Sequence, residues 1–431
     1  MPHILLLGTC DTKLHELLYL RSQILSSSRS PKDTTVTLID AGRTPVDNEH
    51  ITITQPTLTT QYAPPNSPQD LTTLPRGEVI THMIACTTNY LRAAYEAGLQ
   101  DPSKALHGIV AAGGTGNTSL ASAPMRAVLP IGFPKLIVST NASADVSPVV
   151  GETDIVMMPS IVDIAGDNEL LRRILGNAAG AIVGMAEAYE RALAERAQEG
   201  GAGGEARKKR VGLSMFGVTT PAVEKIRAWL EANYPVSCYI FHMTGTGGRA
   251  IERLVSEGAL DAVCDVTTTE LCDHFCGGVM DAGPHRLEAA LKAGIPYVIS
   301  LGALDMCNFG PKETVPEKYR DRKLFEHNPT VTLMRTNVEE SKKIGQFIVE
   351  QIKTFAKDKS KVQVVLPLGG VSVIATPDGP FHDAEADEAL FSTVREGLKD
   401  SGVMVTEDKR AINDEGFAVD LAKKTVDLMR I

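Results

Sequence analysis

An apolar run of strand length that breaks into a glycine- and threonine-rich loop and re-emerges as a helical pattern recurs along this chain. Ile109-Val110-Ala111-Ala112 leads into Gly113-Gly114-Thr115-Gly116-Asn117-Thr118, and Tyr239-Ile240-Phe241-His242-Met243 into Thr244-Gly245-Thr246-Gly247-Gly248. A third such turn, Gly8-Thr9-Cys10-Asp11-Thr12-Lys13, follows the apolar stretch His3–Leu7. Glycine lets a backbone take positive φ and approach a ligand closely, while the free N–H groups of a helix start favour an anion. Such turns belong to α/β folds, in which helices alternate with the strands of a mostly parallel sheet. Their presence in both halves predicts two Rossmann-like subdomains facing a shared cleft.

The 431 residues exceed what one hydrophobic core serves, so two domains are expected. A formal net charge of −10 argues against a general nucleic-acid or anionic-membrane surface. No stretch approaches the roughly 18 apolar residues of a membrane-spanning helix, and the apolar start ends too early for a secretory signal. The seven cysteines, odd in number and scattered through apolar stretches, read as reduced thiols of a cytoplasmic protein.

Strands are expected at 3–7, 36–40, 106–112 and 135–140, with helices over 14–25 and 89–98. Residues 52–75, rich in Thr, Pro, Gln and Asn, predict a surface loop with no packed role, or one that includes a short edge strand. Pro124 leaves two readings for the helix after the first glycine loop: a late start with Ser122 as N-cap, or a start at Thr118 with a kink. Asn168–Gln198 is the longest helical pattern. Gly176, Gly180 and Gly184 recur along one side of it, which suits a tight packing groove within the domain or an interface. Gly200–Arg210 reads as a linker between an N-terminal subdomain, 1–199, and a C-terminal one, 211–431. Beyond it, Thr220 as N-cap and Pro221 at the first helical position start a helix. Strands follow at 238–243, 260–266, 296–301, 331–335 and 362–367.

No glycine stretch continues into Gly-Lys-Ser or Gly-Lys-Thr, which excludes a Walker-type P-loop. Gly245-Thr246-Gly247-Gly248-Arg249-Ala250 satisfies the looser dinucleotide pattern. Asp265 lies 20 residues beyond Gly245 at the end of the next strand, where a carboxylate can accept from ribose hydroxyls. In the first turn, Lys13 can neutralise phosphate and Asp11 can hold a magnesium-bound water, with helix capping as the alternative. Asp265-Val266-Thr267-Thr268-Thr269-Glu270 sets hydroxyls between two carboxylates, suited to phosphate-bound magnesium or again to capping. Cys272, His274 and Cys276 alternate without a second Cys/His pair, which argues against zinc. His242 is either an acid/base group or a hydrogen-bonded core histidine. Asp305, Asn308, His327, Asn328, Asp383 and Asp387 are further cleft candidates.

Several of these motifs occur in one order: Phe216-Gly217-Val218-Thr219-Thr220-Pro221, His242 through Ala250, Asp265 through Glu270, Gly302-Ala303-Leu304-Asp305-Met306 and His327-Asn328-Pro329. With Gly8 through Lys13, Val138-Ser139-Thr140 and Ile412-Asn413-Asp414, they make the chain resemble a family nearly end to end. It is the ATP-binding domain family named after the tomato mosaic virus resistance inhibitor. Asn117 stands where that family tends to carry a glycine. The resemblance implies two Rossmann-like subdomains, ATP binding and a homodimer. A plant member binds a viral replication protein and inhibits RNA replication, a property of variable surfaces that need not transfer.

On this reading Thr244, Gly245, Thr246, Gly247, Gly248 and Arg249 would cradle the phosphates of ATP with magnesium, beside Thr219, Thr220, Thr267 and Thr268. Asp265 would hold ribose or a metal-bound water. Gly8, Thr9, Asp11, Thr12 and Lys13 would close the cleft from the other domain, together with Gly113, Gly114, Thr115, Gly116, Asn117 and Thr118. Asp305, His242 and Glu270 are the candidates for chemistry. Two functions compete: an ATP-dependent enzyme acting on a small molecule, and a module whose grip on a protein partner ATP orders. An NAD-dependent oxidoreductase rests on Gly245–Ala250 and Asp265 alone.

Overall fold

The structure, a computed structural model, describes residues 2–28, 34–68, 70–199 and 207–431. The chain divides into two compact units, Met1–Glu205 and Ala206–Ile431. Of the expected linker, residues 200–206 lie outside the described residues, and Arg207 and Lys208 lead directly into a strand beginning at Lys209.

In the N-terminal unit, β1 (His3–Gly8), β2 (Thr35–Asp40), β3 (Ile51–Ile53), β4 (Gly108–Gly113), β5 (Lys135–Ser139) and β6 (Val156–Pro159) form one parallel sheet. Its order is β3-β2-β1-β4-β5-β6. Successive side chains of a strand point to opposite faces, and both faces here are apolar. Ile4, Leu6, Val110, Ala112, Leu136 and Val138 meet the helices Cys10–Ser27 and Glu169–Glu199 on one side. Leu5, Leu7, Ile109, Ala111 and Ile137 meet Arg76–Gln100 and Thr115–Val128 on the other.

The C-terminal unit contains β7 (Lys209–Met215), β8 (Val236–His242), β9 (Ala262–Thr267), β10 (Tyr297–Gly302), β11 (Met306–Phe309), β12 (Leu324–Asn328), β13 (Val331–Arg335), β14 (Val362–Pro367) and β15 (Met404–Asp408). Its parallel sheet runs β15-β14-β10-β9-β7-β8, and β11-β13-β12 make a small antiparallel sheet. Both units are therefore α/β with parallel sheets, as the recurrent turns predict.

Some local expectations fail for identifiable reasons. The helix expected at 89–98 begins at Arg76, directly after the segment expected as loop, and within that segment 55–61 is itself helical. The buried side of Arg76–Gln100 includes His82, Cys86 and Thr87 beside Val79, Met83, Tyr90 and Leu91, so polar residues interrupt its apolar period. Neither reading of Pro124 applies, because the helix starts at Thr115 and runs through the proline. Around Gly180 and Gly184 an added Cβ would meet nothing within 4 Å, so no tight groove within the unit explains that glycine series. The N-cap after β7 is Thr219, one residue earlier than expected.

Candidate functional site

In an open parallel sheet, ligands bind beyond the C-terminal strand ends where the strand order reverses, because the flanking connections diverge there and leave a crevice. In the N-terminal unit this point lies between β1 and β4. The turns that leave those two strands are Gly8–Lys13 and Gly113–Thr118. They border a cavity of about 510 Å³, within the size range of ligand pockets.

The cavity has a chemically mixed lining. Val79, Met83 and Leu120, all buried, join Ile80 in an apolar wall from the flanking helices. Thr9, Thr12, Lys13, Gly114 and Gly116 line it too, with Arg76 one turn ahead of Val79 and Ile80 on the same helix. Neither Lys13 nor Arg76 makes an ion pair among the described residues. The Thr115–Val128 helix starts at Gly114 without a side-chain cap, leaving an electropositive end toward the same space. Lys13 lies at a break in its own helix, with φ −135° and ψ 23°. Asn117 also lines the cavity; its Nδ2 donates to Ala112 O at 3.0 Å, while its buried Oδ1 has no partner.

Other polar groups brace this crevice. Asp40, at the end of β2, accepts from the amides of Cys10 at 3.0 Å and Gly42 at 2.9 Å through Oδ1. Burial pushes its pKa up, against the lowering effect of those amides. Asp11 Oδ2 accepts from the amides of Arg43 at 2.8 Å and Thr44 at 3.2 Å, so this carboxylate anchors the loop after β2 rather than capping its own helix. Arg43 donates to the carbonyls of Thr72 and Leu74 and clamps the chain before Arg76. Thr118 Oγ1 meets Ser139 Oγ at 2.7 Å and is buried away from the cavity.

The C-terminal glycine loop is different. It follows β8, an edge strand, whereas the order of that sheet reverses between β7 and β9. Glu270 Oε1 accepts from the amides of Gly245 at 2.7 Å and Gly248 at 3.0 Å, so a carboxylate of the chain itself occupies the loop. Arg286, fully buried, donates to Glu270 Oε2 at 2.9 Å and to both oxygens of Asp265 at 2.7 Å. Tyr297 adds a hydrogen bond to Asp265 at 2.7 Å. Asp265 thus has no oxygen left for ribose, and Glu270 no exposure for chemistry. The glycines serve packing: a Cβ on Gly247 would stand 2.0 Å from His242 O, and one on Gly248 2.0 Å from Glu270 Oε2.

The remaining candidates scatter. Thr219 and Thr267 join hydroxyls at 2.7 Å, and Thr268 donates to Ser300 O at 3.3 Å; all three are fully buried. Thr220 donates to Phe216 O, Thr244 to His242 O, and Thr246 accepts from Arg249, which also holds Asp281 O. Asp305 is buried against Ser372 Oγ at 2.8 Å, and burial raises its pKa to about 6. Asp273, also buried and bound to Asn308, is raised to about 7. His242 is exposed beside Phe216 and shares a 250 Å³ pocket with His327 and Asn328. No hydrogen bond joins Asp305, His242 and Glu270 to one another.

Sequence reasoning overlooked Arg76 and Arg286. Arg76 had a signal, since Pro75-Arg76-Gly77-Glu78 opens a helix with proline just ahead and an acid in its first turn. Arg286 had none; only the fold brings it between Asp265 and Glu270.

Comparison with known proteins covers both units. The model of the Uncharacterised protein family (UPF0261) N-terminal domain matches residues 2–191, and that of the UPF0261 C-terminal domain matches 208–429. A UPF0261 protein of Clostridium tetani is 47% identical over 325 residues, 75% of this chain and 76% of that protein. Another, from Mesorhizobium japonicum, is 39% identical over 419 residues, 97% of each chain. A tomato (Solanum lycopersicum) protein named ToMV resistance protein Tm-1(GCR237) is 38% identical over 405 residues, 90% of this chain but 50% of that protein.

Proposed function

We propose that this chain, which belongs to the UPF0261 family, binds a nucleoside triphosphate, ATP by resemblance, in the N-terminal crevice rather than at the C-terminal glycine loop. One observation carries the proposal. At the strand-order reversal between β1 and β4, Lys13 and Arg76, neither in an ion pair among the described residues, and an uncapped helix start line a 510 Å³ cavity together with four apolar side chains. The base would lie against Val79, Ile80, Met83 and Leu120, and the phosphates against Lys13, Arg76 and the amides after Gly114. Asp11 and Asp163 are the carboxylates lining the cavity. Magnesium is commonly held by one or two carboxylates plus substrate phosphates, so this donor set fits an ion that arrives on the nucleotide.

Calorimetric titration with Mg·ATP tests the reading. Each of Lys13→Ala and Arg76→Ala is expected to weaken binding about tenfold, the worth of one charge-assisted hydrogen bond. Wild-type affinity in the double variant overturns it. A module whose grip on a protein partner the nucleotide orders is the role proposed for binding, on the resemblance given above, and the homodimer belongs to the same proposal. ATP turnover without a protein partner would favour the enzyme instead, and sedimentation with and without Mg·ATP tests the dimer.

A further inference from the structure

A second, larger cavity of about 820 Å³ lies in the N-terminal unit between the Cys10–Ser27 helix and the start of Glu169–Glu199. We propose that it binds an organic ammonium ion carrying an apolar body, with Glu16 as the counter-charge. Leu14, Val46, Leu171 and Leu175 supply apolar walls. At the mouth, Arg172 and Asp167 form an ion pair with each other, and Arg172 lies over the Tyr19 ring. Asp11, on the side shared with the nucleotide crevice, already takes the Arg43 and Thr44 amides.

Of the lining carboxylates Glu16 is the buried one, and no ion pair among the described residues offsets its charge. It is 9% exposed, and its Oε1 accepts from the amide of Gly166 at 2.7 Å. No donor of the described residues reaches Oε2. A buried carboxylate against apolar walls favours a ligand that brings both N–H donors and hydrocarbon, and disfavours any anion. Such a ligand has the opposite charge to a nucleotide, and this site rests on its own geometry rather than on the nucleotide reading.

The test uses the full chain, with phenethylamine as probe and phenylacetate as its anionic counterpart, both followed by ligand-observed NMR titration. Saturable binding of the amine alone at millimolar concentration is expected. Glu16→Gln, which keeps an oxygen for the Gly166 amide, is expected to weaken the amine about tenfold. Val46→Trp, on the half-buried rim, is expected to block it. Mg·ATP binding stays at wild-type strength in both variants, and amine binding survives in Lys13→Ala, so either reading can fail without the other. Equal binding of the two probes, no saturable amine binding, or wild-type amine affinity in both variants overturns the proposal.

Discussion

Gly113–Thr118 and Gly245–Gly248 both leave a parallel strand and open a helix, yet the first borders an unfilled crevice and the second closes on the carboxylate of Glu270. The difference follows from strand order. The first loop leaves β4 at the reversal of its sheet, where the connections diverge. The second leaves the edge strand β8, where a neighbouring helix can send a side chain back into the turn. Glycine spacing alone does not separate a ligand loop from a packing loop; the place of the strand in its sheet does.

The largest expected effects should break the C-terminal loop as a structure and leave nucleotide binding intact. Glu270→Ala leaves the Nε–H of Arg286 and two loop amides unpaired in the interior, though Asp265 still holds the guanidinium, and about 3 kcal/mol of stability should be lost in urea denaturation. Gly248→Ala presses a Cβ to within 2.0 Å of the same carboxylate and should cost a similar amount. If Glu270→Ala instead keeps full stability and binds Mg·ATP more tightly, Glu270 merely masks a phosphate site and the contrast between the loops fails.

A pH effect of intermediate size sharpens the comparison within the C-terminal unit. Burial raises Asp273 to about 7 from an ordinary value of 3.8, so the folded state holds that proton more tightly than the unfolded chain. Its contribution to stability is complete below the unfolded pKa and is lost as pH rises from 3.8 to about 7. The slope should reach about 1.4 kcal/mol per pH unit for this proton. Asp273→Asn should flatten it in denaturation midpoints measured between pH 4 and 7; an unchanged slope would assign the effect to other groups, Asp305 first.

Gly116→Ala is the counterpart of Gly248→Ala and should do least. Its Cβ would meet the end of the Arg76 guanidinium at 3.3 Å, a flexible neighbour that can move aside. Stability should stay within about 0.5 kcal/mol of wild type, with Mg·ATP affinity reduced about threefold by crowding beside the phosphates. A loss as large as that of Gly248→Ala would make the two loops structurally alike.

Much of the fold was legible because apolar strands such as Ile4–Leu7 and Ile109–Ala112, buried on both faces, announce a parallel sheet through composition alone. Lys13 and the Gly113–Thr118 turn were legible as candidates by their position after strands. Strand order was not, since it is decided by pairings between distant segments, and with it went the choice between the loops. Arg76 carried a helix-start signal, but polar residues break the apolar period of the helix that follows it. The occupation of the C-terminal turn by Glu270, which lies 25 residues beyond Gly245, is a tertiary contact that no local pattern encodes.

Glu270 amounts to a counterion carried on a tether, and a tethered ion cannot be diluted away. At that turn the C-terminal half would therefore gain no stability from a dissolved anion, whatever its concentration. In the N-terminal half no described side chain caps the helix start after Gly114, so its resistance to unfolding would climb with the logarithm of nucleotide concentration. One chain would then join a turn indifferent to dissolved anions to one whose durability tracks the energy state around it.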